Sequence, residues 1–235
     1  MLLLVSSRNH SLLKWSLGAG ILLGIAGVVY TLVHYPAVLN SSPEQSIIYL
    51  SILALIFGFY GWLVFRRIRP ISNASAFALG LGTIFGLLFG GLWIAELWAG
   101  NLAYSGPGWF KLIYFGSFFS VLALTVVVGL LGTLRTGRIE TGIMVGLWSG
   151  LISGLITFLA ILFIITNYMG VLQQDPENIQ QFVRSKLPDI QTFIVGDFME
   201  AAINHLWLGP VVGAGLGAFG GWIGKQLRQP PNIWV

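Results

Sequence analysis

Six stretches of this chain are apolar for about 20 residues or more, the length of helix that crosses a hydrocarbon core of about 30 Å. They fall near 15–34, 46–65, 74–99, 110–134, 141–167 and 199–224. Only 9% of the 235 residues are charged, against about 25% in soluble domains, and the mean hydropathy is +0.84. A chain this size cannot bury that much apolar surface in water. In lipid each backbone N–H and C=O must be satisfied within its own segment, so the runs are helices. The expected fold is therefore all-α: a polytopic integral membrane protein forming a six-helix transmembrane bundle. The polar segments between the runs are too short for a separate soluble domain, so residues 1–235 are read as one transmembrane domain.

Glycine sets the expected packing. It recurs every four residues at Gly82, Gly86 and Gly90 in span three, and at Gly142, Gly146, Gly150 and Gly154 in span five. Gly209, Gly213, Gly217 and Gly221 repeat the pattern in span six, with Gly220 and Gly224 beside them. Each glycine costs a helix in water roughly 1 kcal/mol relative to alanine. In a bilayer the helix forms regardless, and a row of glycines lets a neighbouring backbone approach closely. Spans three, five and six are expected to pack centrally. Spans two and four are bulkier and are expected to face more lipid.

Orientation follows from the Lys and Arg count on alternate sides. One side holds Arg8, Lys14, Arg66, Arg67, Arg69, Arg135, Arg138, Lys225 and Arg228, nine of the twelve. The other holds Lys111, Arg184 and Lys186. Both termini are thus expected in the cytoplasm, in a plasma membrane of bacterial type. Trp15, Trp98, Trp109, Trp222 and Tyr168 lie near span ends, as interfacial aromatic anchors do. A net charge of +4 gives no nucleic-acid footprint, because its cations sit in small groups beside the spans. The expected partners are the lipid bilayer and either other membrane subunits or further copies of this chain.

Between spans five and six, Asp175-Pro176-Glu177 has the pattern of a helix start: an N-cap acid, proline at the first helical position and an acid in the first turn. Ile179, Phe182, Val183 and Leu187 then recur at helical spacing opposite Gln180, Gln181, Arg184 and Lys186. A short amphipathic helix over 175–187 on the outer surface is expected. Pro188 ends it and Asp189 caps the next helix.

The residues able to carry chemistry are few. There is no cysteine, which excludes thiolate metal sites and thiol catalysis. The glycine-rich 80–86 lies inside a span and lacks the lysine of a phosphate loop. No G-x-S-x-G nucleophile pattern occurs. Ser149 and Ser153 are expected to bond across helices or to backbone carbonyls. Along 197–205, Asp197, Glu200, Asn204 and His205 share one helix face at about 100° per residue. Pro210 follows and removes the helical partner of the Leu206 carbonyl, so span six is expected as a polar half-helix and a glycine half-helix joined at a kink. Span three adds Glu96 on the same predicted side. Ionisable groups inside spans usually mark ion, proton or substrate paths.

Glu96, Asp197, Glu200, Asn204 and His205 together are the expected ion, proton or substrate site. No cofactor, metal or catalytic group is expected, since the acids and His205 lack a ligand spacing such as H-E-x-x-H. The leading reading is a small-solute, ion or proton transporter or channel component. The rival is a structural or assembly subunit of a membrane complex, and a membrane-embedded enzyme is third.

Overall fold

The computed structural model describes residues 7–41, 43–67, 73–102 and 106–228. Arg69, counted above for orientation, and the middle of the turn after span three lie outside the described residues. All described regular secondary structure is helical: α1 (Ser7–His34), α2 (Ala37–Ser41), α3 (Pro43–Trp62), α4 (Asn73–Asn101), α5 (Gly106–Thr136), α6 (Ile139–Leu172), α7 (Pro176–Ser185) and α8 (Ile190–Arg228). Six of these, α1, α3, α4, α5, α6 and α8, are long and apolar enough to cross a membrane. The chain is a multi-pass membrane protein.

One helix organises the bundle. In its apolar stretch α6 is 72% buried, while the other five spans reach 33% or less. The reason is the register of its glycine row against α8. A Cβ on Gly146 would run into the Gly213 carbonyl, and one on Gly150 into the Gly209 carbonyl. Gly142 meets Gly217 in the same way, 2.7 Å from a built Cβ to the carbonyl oxygen, and Gly154 meets the His205 carbonyl at 2.6 Å. Each step of four up α6 is matched by a step of four down α8, so the helices run antiparallel with their backbones touching. Contact that close gains dispersion and Cα–H···O attraction over many atoms.

The row on α4 works differently. Gly82, Gly86 and Gly90 receive side chains of α6: built Cβ atoms would lie 2.7 Å from Trp148 Cβ, 2.7 Å from Ile152 Cβ and 2.8 Å from Ile156 Cγ2. Both numbers rise together, so α4 and α6 are parallel. Gly20, Gly24 and Gly27 of α1 take Leu155, Phe158 and Leu162 of α6 in the same sense. Alternate spans therefore share a direction, as a chain threading back and forth requires.

Two expectations change. Span four does not stand apart with span two. A Cβ on Gly129 of α5 would lie 2.5 Å from the Gly217 carbonyl, Gly220 abuts the Val126 carbonyl and Gly224 lies against Leu130. The second glycine row of α8 is the seat of α5, which holds too few glycines of its own to announce the contact. Span six is also not two half-helices, because α8 runs uninterrupted through Pro210 from Ile190 to Arg228.

The connections follow local chemistry. α5 turns into α6 at Gly137, whose φ of +76° suits a residue without a Cβ, and its N–H bonds the Thr133 carbonyl at 2.7 Å. α3 ends in a π-helical turn, Leu63–Arg67, where Lys14 of α1 donates to the Phe65 carbonyl at 3.3 Å. Asp175 caps α7 through the N–H groups of Glu177 and Asn178, at 2.7 and 3.2 Å. Asp189 caps α8 by accepting from the Thr192 N–H at 2.7 Å. Trp15, Trp98, Trp109 and Trp222 are all exposed near helix ends.

Candidate functional site

Near the middle of α4, α5, α6 and α8 the four helices border a half-enclosed cavity of about 270 Å³. α6 supplies its floor with Ser149, Gly150, Ser153 and Gly154; α4 supplies Phe89 and Trp93; α5 lines it from Phe118 to Thr125. α8 closes it with Ala201, Asn204 and His205 and, on its following turns, with one face as far as Leu216. The cavity exists because α5 and α8 touch at one end, through Gly129 and Gly217, and have bulkier side chains between them at the other.

Its polar groups come from three helices. The His205 ring stands edge-on to Trp93 of α4, centroids 5.0 Å apart. The Asn204 side-chain oxygen accepts from Trp207 Nε1 at 3.1 Å, which leaves its NH₂ group for another partner. Ser149 and Ser153 donate to the carbonyls of Gly146 and Gly150, at 2.9 and 3.2 Å. Thr125 donates to Val121 O at 2.6 Å. Those hydroxyl oxygens keep lone pairs able to accept. No carboxylate, ammonium or guanidinium belongs to the lining.

Of the five residues expected to form the site, Asn204 and His205 line the cavity. Glu96 lies one turn beyond Trp93 on the same face of α4. It is 9% exposed, and among the described residues its carboxyl makes no hydrogen bond or ion pair. Glu200 is exposed and accepts from the Tyr49 hydroxyl of α3 at 3.4 Å. Asp197 is exposed. Among the described residues no three His, Asp or Glu side chains gather in a way that could hold a metal ion. Helix length accounts for the separation. With 39 residues, α8 is about 58 Å long at 1.5 Å per residue, well beyond a hydrocarbon core of about 30 Å, so its acidic turns sit toward its N-terminal end while His205 lies nearer its middle.

Sequence reasoning did not identify Tyr60 of α3. This side chain is 1% exposed, and its hydroxyl donates to the Leu206 carbonyl at 2.6 Å. That carbonyl is the one Pro210 deprives of its helical donor. The need for a donor there was legible; which residue would supply it was not. Thr125 and Phe118 also escaped notice, since nothing marks them within the long apolar run of α5.

No family model, curated protein or solved structure matches this chain.

Proposed function

We propose that this membrane protein binds a small solute in the cavity between α4, α5, α6 and α8 and moves it across the bilayer, as a transporter or channel component with both termini in the cytoplasm. The observation that carries the reading is hydrogen-bonding capacity converging at mid-depth from three helices on a half-enclosed cavity. Transporter sites commonly lie near the bilayer midplane, beside helices whose regular bonding is interrupted. α8 stays continuous, but Pro210 leaves the carbonyl of Leu206, the residue after His205, without its helical donor, and the smooth α6–α8 contact supplies a surface along which helices can rock. The uncharged lining favours a solute over an ion.

The test is efflux from vesicles loaded with a mixture of small neutral and charged solutes, followed by mass spectrometry. Wild-type protein is expected to release at least one solute about tenfold faster than empty vesicles. Ala201→Trp, which fills the cavity from α8, and His205→Ala, which removes its main polar group, are expected to abolish that release. Release no faster than from empty vesicles, or equal release by both variants, overturns the reading.

A further inference from the structure

We infer that the ligand of this cavity is an uncharged, partly aromatic molecule that reaches it from the lipid through the gap between α5 and α8. The inference refines the proposed function and rests on the cavity being a binding site. Its first support is the lining: no Asp, Glu, Lys or Arg belongs to it. An ionised ligand would lose its hydration there with no opposite charge to replace it, at a cost of several kcal/mol or more. The rings of Phe89, Trp93, Phe118 and His205 instead offer flat apolar faces and polarised edges, which favour a second ring in offset or edge-on contact. The His205 imidazole has no hydrogen-bond partner among the described residues, and the Asn204 NH₂ group is uncommitted. A ligand with one hydroxyl group meets both, its O–H donating to the imidazole and its oxygen accepting from the NH₂ group. A volume of about 270 Å³ falls just below the usual range of ligand pockets, about 300 Å³ upward, which suits a small ring compound and is too small for a whole phospholipid.

The second support is where the cavity opens. α5 and α8 press together where Val126, Gly129 and Leu130 meet Gly217, Gly220 and Gly224. Beyond that contact the cavity parts them. At its rim Phe118 of α5 is 38% exposed, and Leu208 and Val212 of α8 are 39% and 40% exposed. These positions lie near the middle of two membrane-crossing helices, at hydrocarbon depth. What touches the open side of the rim is therefore acyl chain, and a molecule dissolved in the bilayer has a direct path to His205.

Two probes of like shape test this, 2-naphthol and 2-naphthalenesulfonate, on protein in nanodiscs with empty nanodiscs as reference. Equilibrium dialysis is expected to show saturable naphthol binding, weakened about tenfold or more by His205→Ala, and no sulfonate binding. Stopped-flow association of naphthol is expected to slow about fivefold in Leu208→Trp, which narrows the gap, and to quicken in Phe118→Ala, which widens it. Opposite signs in two lipid-facing substitutions do not arise from general loss of structure. Sulfonate binding equal to naphthol binding overturns the ligand class. Naphthol binding with unchanged association rates in both variants overturns the lipid route while leaving the binding site standing. Failure of both probes to bind removes the proposed site and this inference with it.

Discussion

Pro210 and Tyr60 show how one residue's defect dictates another's role. A proline inside a helix removes a donor and leaves a carbonyl four residues back unpaired. Buried in a bundle, such a carbonyl costs about 1–3 kcal/mol, and the Tyr60 hydroxyl at 2.6 Å from Leu206 O meets the need. Tyr60→Phe is expected to lower stability by about 1–2 kcal/mol. Pro210→Ala restores an N–H to the same carbonyl, so the penalty of Tyr60→Phe should shrink by about 1 kcal/mol in that background. Detergent-unfolding titrations of the four proteins measure the coupling; additive effects would show that the hydroxyl does not serve that carbonyl. Glu96 is the opposite case, a carboxyl 9% exposed without a partner among the described residues. Glu96→Leu keeps its volume and removes the desolvation cost, so stability is expected to rise by about 1–2 kcal/mol. A fall in the same titration would reveal a partner for the carboxyl.

For the helices the deciding quantity is how near two backbones come. Gly146 faces the Gly213 carbonyl with no room for a methyl group, whereas Gly91 of α4 has nothing within 4 Å of a built Cβ. Gly146→Ala must push α6 and α8 apart along their whole contact and is expected to cost about 2–3 kcal/mol. Gly91→Ala is expected to stay within about 0.5 kcal/mol of wild type. The same unfolding assay compares them, and equal effects would refute backbone contact at Gly146. The four-residue spacing made the rows on α4, α6 and α8 plain in the sequence. It did not say that the α4 row would receive side chains, or that α5 would take the second row of α8. Partner choice depends on which faces meet, and spacing along one helix carries no information about its neighbour.

At the scale of the molecule the two ends differ in charge. The end that joins α5 to α6 and terminates α8 carries Arg135, Arg138, Lys225 and Arg228, and the opposite end carries the acidic turns of α7 and early α8. Cations near short loops favour the cytoplasmic side. Because the chain has no native cysteine, single cysteines report sidedness directly. Gln180→Cys on α7 is expected to react with a membrane-impermeant maleimide added to intact cells, and Lys225→Cys only after lysis. The reverse pattern would invert the orientation.

The sequence by itself determined the solvent, the number of crossings, the caps of α7 and α8, and the carbonyl that Pro210 would leave open. These are local properties, set by the length and polarity of segments and by the covalent chemistry of single residues. Only the tertiary structure decided that α6 would be the enclosed helix, that Tyr60 would answer Pro210, and that His205 and Asn204 would share a cavity without Glu96, Asp197 or Glu200. Those outcomes turn on the rotation and crossing of whole helices. Such angles follow from the sum of many weak contacts between segments far apart in the chain.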